Sequence, residues 1–476
     1  MHSPTQPRSP VALLLLTALL AVPASAEPNW NEILGPTQAT LPGARAALAE
    51  AVNIPSFHKT SIPSRVTWEA DLPKALREAR EQNRPVLVTM RCLPCRACSD
   101  FDKDVLEGGG DLDPLLLQFV TVRLTGAQDV DLRLLPMEQF QDMDVSWWGW
   151  FLSPEGKIYG VFGGRDASGD AGRTSKKALV ATLKRVLDHH YDSRRQKWDI
   201  DGPAPRLTEG KATTAANLPG YDNWLDSGHR REHVVKQGCI HCHQVQEVLH
   251  QGAIDAGRFD KSRDLDVWPL PENVGIVIER DDGLLIKSVK LNSPAASAGL
   301  KPGDVLGAAG GRRLFSQADF RAALHRLPKA GDPSIDVVYV RGGTVQAPVK
   351  LSMIEGWRKT NNGWRISYAE GVVGAPPGFW ANDGARHRER LGLANDAMCV
   401  SPYFPNDQKF RDASPAWQAG LRGSDLIVAV NGKSPNLVGR QWIHWFRMNN
   451  DPGNEVTLTV LNQRGEKRDV TYRPKQ

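Results

Sequence analysis

Val86-Leu87-Val88-Thr89-Met90-Arg91-Cys92-Leu93-Pro94-Cys95-Arg96-Ala97-Cys98-Ser99-Asp100-Phe101-Asp102 decides the reading of this 476-residue chain. Val86–Met90, entered through Pro85, is a short apolar run with β-branched residues, the signature of a buried strand. Three cysteines follow at a spacing of three, and Ser99-Asp100-Phe101-Asp102 continues as a helix. Upstream, Asp71 is a helix cap ahead of Leu72, Leu76 and Ala79, which share one helical face. Downstream, Phe119 to Leu124 reads as a second strand. Lys157 to Phe162, after the turn Ser153-Pro154-Glu155-Gly156, reads as a hairpin partner. A long amphipathic helix carries Leu179, Leu183, Val186 and Leu187 on one stripe. Helices alternating with strands predict an α/β sandwich over residues 65–195.

A C-x-x-C pair between a strand and a helix start is the thioredoxin-type redox motif. The spacing lets two sulfurs bridge across one turn, and the helix N-terminus stabilises a thiolate on the first. Two such pairs overlap here and share Cys95. The strand–loop–helix count places Cys95-Arg96-Ala97-Cys98 in the motif position, with Cys95 as nucleophile, Cys98 as resolving thiol and Cys92 as an extra thiol. Arg91 and Arg96 add positive charge. The same cysteines could form an inert disulfide or bind a metal as three thiols. Thioredoxins carry a cis-proline opposite the motif, and the matching stretch Ser146-Trp147-Trp148-Gly149-Trp150 has no proline. Its three tryptophans either wall a small apolar pocket or belong to the core.

Cys239-Ile240-His241-Cys242-His243 is a second constellation. C-x-x-C-H attaches c-type haem: Cys239 and Cys242 would form the thioethers and His243 the proximal iron ligand. Residues 196–272 contain no methionine, so a sixth ligand would come from His229, His233, His250 or a residue such as Met398. A zinc ion on Cys239, Cys242 and a histidine, with His243 as the metal ligand, and a second dithiol exchanging with Cys95–Cys98 are the competing readings.

The C-terminal part contains a repeat. Ser293-Pro-Ala-Ala-Ser-Ala-Gly-Leu-Lys-Pro-Gly-Asp-Val-Leu306 and Ser414-Pro-Ala-Trp-Gln-Ala-Gly-Leu-Arg-Gly-Ser-Asp-Leu-Ile427 agree at seven of fourteen positions. The turns Gly310-Gly311 and Asn431-Gly432 follow in register. This pattern resembles the PDZ domain in its bacterial, HtrA-like form. The resemblance implies loops that receive a peptide carboxylate on backbone N–H groups, at Val274-Gly275-Ile276 and at Leu391-Gly392-Leu393. It also implies extended peptides added to a sheet edge, with the first copy the favoured binder. The alternative is that the copies only space other modules. The second copy departs at Ser424, where a glycine is expected, and carries a long insert between Trp364 and Leu391.

Composition sets the remaining bounds. At 24% charged and 41% hydrophobic the chain is ordinary for a globular protein of about three domains. Its net charge of +5 is spread without a basic run, which argues against a nucleic-acid binder. Arg8, the twelve apolar-rich residues Val11–Val22 and Pro23-Ala24-Ser25-Ala26 read as a secretory signal cleaved before Glu27. That makes the expected location periplasmic or secreted, with no transmembrane span after cleavage. No GxSxG, HExxH, P-loop or trypsin-like serine setting occurs, so hydrolysis has no visible apparatus.

Signal, redox unit, CIHCH and paired repeat together are similar to the bacterial thioredoxin-like/PDZ domain-containing (seleno)protein family. Gly238–Gln244, Pro269–Gly275 and Gly356-Trp357-Arg358 carry the resemblance further. Every candidate redox position here is cysteine. The resemblance implies a multidomain fold: signal 1–26, an extended arm 27–64 and an α/β thioredoxin-like domain 65–195. A linker or helical segment with CxxCH, 196–272, and two PDZ-like β-rich domains, 273–355 and 356–476, follow. The expected function is thiol–disulfide exchange at Cys95 and Cys98 on partners held as peptides by the PDZ modules. The rival is a non-catalytic adaptor or electron-transfer protein with structural or metal-binding cysteines.

Overall fold

The computed structural model describes residues 28–36, 64–92, 95–106, 112–145, 147–169, 171–203, 205, 212–227, 234, 240–261, 265, 268–360, 362–369, 371–388 and 390–475. The signal-like leader, most of the arm and Cys239 lie outside them.

Strands β1 (Val86–Met90), β2 (Val120–Leu124), β3 (Trp148–Leu152) and β4 (Ile158–Gly163) form one sheet in the order β2-β1-β3-β4. β1 runs parallel to β2, with Val88 opposite Val122, and antiparallel to β3, with Val88 opposite Trp150. β1, β3 and β4 are buried along their whole length. That is why they read as continuous apolar runs: both faces of the sheet are covered. The two-residue period sorts their side chains. Val86, Val88, Met90, Trp148 and Trp150 enter one core with Leu72, Leu76 and Ala79, whereas Leu87 and Phe151 enter the other with Leu179, Leu183 and Leu187.

Both flanking helices follow from their caps. Asp71 accepts from Lys74 N at 2.9 Å and starts Leu72–Gln82, which ends at Asn83 in the left-handed region. Ser175 caps Lys176–His190 in the same way. Trp147, Trp148 and Trp150 are all core residues: Trp147 lies on the second face against Phe101, the other two on the first.

Residues 240–261 are not a loose connector. A fourteen-residue helix, Cys242–Asp255, starts there, and Ile240, Cys242 and Val245 join the first core of the redox unit.

The C-terminal half is β-rich and repeats itself. In the second copy Trp380–Asp383, Val400–Tyr403, Leu426–Val430, Val456–Leu461 and Lys467–Tyr472 form one antiparallel sheet in that order. In the first copy Ile276–Ile278 pairs with Ile286–Val289. Val305–Ala309 pairs with Ser334–Arg341, which pairs with Val349–Ser352. Each copy has a short helix opened by the serine of its SPA motif, Ser293 or Ser414. Each has a longer one, Gln317–His325 or Gly439–Asn449. The motif aspartates do the same work twice. Asp304 accepts from Lys301 N and pairs with Arg341, and Asp425 accepts from Arg422 N and pairs with Arg468.

One buried ionic cluster joins the modules. Asp142 of the redox unit is 2.6 Å from Arg321 of the first copy and 2.7 Å from Arg365, which lies ahead of the first strand of the second copy. Burial alone would push the Asp142 carboxyl up. The Arg365 and Arg321 guanidiniums overcome that and hold it at about 2.

Candidate thiol site

The dithiol lies where β1 gives way to the helix Arg96–Phe101. Cys95 is the N-cap of that helix, in extended conformation. Its Sγ accepts from the Cys98 backbone N–H at 3.4 Å and from the Cys98 thiol at 2.8 Å. Two donors aimed at one sulfur at a helix N-terminus favour negative charge there. The hydrogen bond to Cys95, then burial, push the Cys98 thiol far up, so Cys98 is the proton-bearing partner. Cys95 is half-buried and Cys98 is 6% exposed. Sequence reading assigns Cys95 as attacker and Cys98 as resolver. The Arg96 side chain lies outside the described set. Arg91 is 3.7 Å from the wholly buried Asp102 carboxylate, which Arg123 meets at 3.0 Å.

The structure joins what the sequence separates by 149 positions: Cys92 Sγ lies 3.2 Å from His241 Nδ1. Two further bonds seat this end of CIHCH, Ala127 N to Ile240 O at 3.0 Å and Ile240 N to Gln128 Oε1 at 2.8 Å. Cys242 Sγ accepts the Trp148 indole N–H at 3.2 Å. Burial pushes its thiol up to about 12, against that hydrogen bond. Cys92, Cys98 and Cys242 therefore share one apolar cluster, with Cys95 packed on it. Sequence reasoning missed His241 and the indole of Trp148, because no spacing rule links CIHCH to the first cysteine loop.

The haem expectation can be set against these contacts. His243 Nδ1 is 3.0 Å from Glu247 Oε1, and Glu247 also accepts the Trp224 indole N–H at 2.9 Å. A carboxylate behind a histidine ring is common at metal centres. Cys242 is the obstacle. Its sulfur points into packed core under Trp148, and a thioether to a porphyrin would require that core to open. The residues described do not fit a covalent haem. Of the other candidate axial ligands, Met398 lies in the core of the second copy, and His250 packs beside Phe259 and Tyr368. Among the described residues, no three His, Cys, Asp or Glu side chains are grouped to hold a metal ion. Cys239, His229 and His233 lie outside the described set.

The two expected carboxylate loops fare differently. Val274-Gly275-Ile276 leads directly into the edge strand Ile276–Ile278, with Gly275 at φ +86°. Leu391-Gly392-Leu393 does not: it lies in the connection between Trp380–Asp383 and Val400–Tyr403. The corresponding loop of the second copy is Gly378-Phe379-Trp380, with Gly378 at φ +82° and its carbonyl bound by Ser414 Oγ at 2.7 Å. The insert falls after the edge strand rather than before it, so counting back from Ser414 lands in the insert. Gly378 followed by two bulky apolar residues, like Gly275-Ile276-Val277, was the available signal. Beside this loop a cavity of 530 Å³ opens between the edge strand and the helix, lined by Trp380, Phe410, Arg440, Ile443 and Arg447.

Comparison with known proteins matches two of these modules. A family model described as thioredoxin-like matches residues 67–139, and one for the PDZ domain matches residues 274–351. No curated protein matches the chain. Among solved structures it is similar to a variant of the HtrA-type protease AlgW with a decapeptide. That match has 15% identity, covers 30% of this chain and 49% of that one, and has a TM-score of 0.19. The same variant with a tripeptide gives 16%, 30%, 53% and 0.18. AlgW with a decapeptide gives 16%, 36%, 54% and 0.18. The chain spans about half the length of these structures. Among the described residues no helix is long and apolar enough to cross a membrane. The chain thus carries a thioredoxin-like domain followed by a β-rich half that contains a PDZ domain.

Proposed function

We propose that the chain is an exported thiol–disulfide exchange protein that recruits polypeptide partners through its PDZ-like half. The observation that carries this is the Cys95 sulfur, helix-capping and doubly hydrogen-bonded by Cys98. Cys95 thiolate attacks a substrate disulfide. One S–S bond breaks, a mixed disulfide forms, and the first substrate sulfur leaves as a thiolate. Cys98 then gives up its proton and attacks Cys95 Sγ. The Cys95–Cys98 bond forms and the second substrate sulfur leaves. Two electrons have passed from the dithiol to the substrate, and an external thiol reductant restores the pair. Export rests on the leader-like residues 1–26 and suits disulfide substrates.

Recruitment falls to the second copy, whose groove is open beside Gly378-Phe379-Trp380. A peptide laid there adds to an exposed edge and raises the partner's local concentration near the thiols.

Insulin reduction by the purified protein with dithiothreitol tests the exchange reading. Cys95→Ser is expected to fall to the uncatalysed rate, and Cys98→Ser to accumulate the mixed disulfide. Equal rates for wild type and Cys95→Ser would end the proposal. A pyridine-haemochrome spectrum after co-expression with a c-type maturation system tests CIHCH, with no haem signature expected.

A further inference from the structure

PDZ-type modules take an extended peptide between an edge strand and a helix. In the first copy those walls are Ile276–Ile278 and Gln317–His325. A segment of the redox unit, Arg173-Thr174, is bonded to the first residue of that helix and to the turn that follows that strand. The Arg173 carbonyl accepts from Gln317 Nε2, on the first residue of the helix. The Thr174 carbonyl accepts from Arg280 Nε at 3.1 Å and Nη2 at 3.0 Å, two residues past the edge strand. The Arg173 guanidinium lies 2.7 Å from Glu272, just ahead of the carboxylate loop, and is steadied from behind by Asp166 at 2.6 Å.

Two successive backbone carbonyls are held by side chains, one from the start of the helix wall and one from the turn just past the strand wall, and a charged side chain extends toward the loop. The helix face is spent as well: Gln317 is 5% exposed and Arg321 2%, with Arg321 turned to Asp142 and the Pro269 carbonyl. Lys177–Asp281 and Arg185–Asp282 fasten the helix that continues the segment to the same end of the groove. The second copy has the opposite condition, with Arg440 exposed, Ile443 half-buried and the 530 Å³ cavity between its walls.

We propose that the first copy is an interaction surface whose resident occupant is Arg173-Thr174 of the same chain. It clamps the thioredoxin-like domain in place, and a foreign peptide end is left only the second groove. The second half of this statement rests on the peptide-binding reading above; the first half does not.

Photo-crosslinking of the full chain separates the two. Val277→p-benzoylphenylalanine is expected to give intrachain adducts on residues 171–176, even with an excess of random decapeptides carrying free C-termini. Trp380→p-benzoylphenylalanine is expected to label the decapeptides. Adding Arg280→Ala and Gln317→Ala to the Val277 probe should raise its decapeptide adducts at least tenfold. If the Val277 probe, with both walls intact, labels decapeptides as well as the Trp380 probe does, the closure is overturned. Intrachain adducts elsewhere than 171–176 overturn it too. If neither probe labels decapeptides but the intrachain adduct forms, the closure stands and the peptide-binding reading falls. Glu279→p-benzoylphenylalanine repeats the test where the Val277 variant fails to fold, as judged by circular dichroism.

Discussion

The two copies of the repeat share a motif and a strand plan, and they differ in what surrounds the groove. In the first, the helix and the turn after the edge strand are bonded to the redox unit, and a buried aspartate locks the helix. In the second, the same walls face an open cavity with Trp380 52% exposed at its edge. One sequence pattern thus serves as a structural joint and as an open surface. The difference comes from neighbours in space, because the residues that close the first groove belong to another module.

The largest expected effect comes from breaking the joint. Asp142→Ala leaves the buried guanidiniums of Arg321 and Arg365 without their shared carboxylate, and should cost about 3–5 kcal/mol in urea unfolding. Truncating the exposed Arg473–Glu455 pair of the second copy, Arg473→Ala, should cost no more than about 1 kcal/mol. If the two losses were equal, the joint would not distinguish the copies.

The two carboxylate-loop glycines sharpen the contrast. Both have positive φ, so alanine is strained at each by about 1–2 kcal/mol. At Gly275 the new methyl would also clash with Ser293 Oγ, whereas at Gly378 Ser414 Oγ is 3.3 Å away. Gly275→Ala should therefore lower the thermal midpoint more than Gly378→Ala.

Acid should act on the two regions in different windows. Asp142 has a folded pKa of about 2, below the usual carboxylate value near 4. Its stabilisation is complete above pH 4 and is lost as pH falls from about 4 to 2. His444, on the helix of the second copy, is lowered to about 4 by burial and by Arg365. The unfolded chain binds the extra proton first, so stability falls as pH drops from about 6.5 to 4. Buried His189 and His190, also lowered to about 4 by burial, share that window. His444→Gln should flatten part of the upper slope in pH-resolved melts and leave the lower one intact.

The smallest expected effect is at the open rim. Trp380→Ala should change stability by less than about 0.5 kcal/mol. It should still weaken capture of decapeptides, read by fluorescence anisotropy; unchanged capture would remove this side chain from the recognition surface.

Much of this was legible in the chain. The apolar run Val86–Met90, the cap at Asp71 and the stripe Leu179–Leu187 report local geometry, and local geometry is written in side-chain period and backbone preference. The SPA motif reports itself because one turn and one cap recur. The second carboxylate loop was misplaced because an insert shifts register without changing any local signal.

What the sequence by itself determined was the placing of one close pair of sulfurs. A C-x-x-C at a strand-to-helix junction sets their separation and the dipole on Cys95 within four residues. Only the tertiary structure decided their company: Cys92 beside His241, Cys242 under Trp148, and Arg173 across a groove more than a hundred positions away. Those contacts arise when separate apolar faces are buried together, and no spacing along the chain encodes which faces will meet.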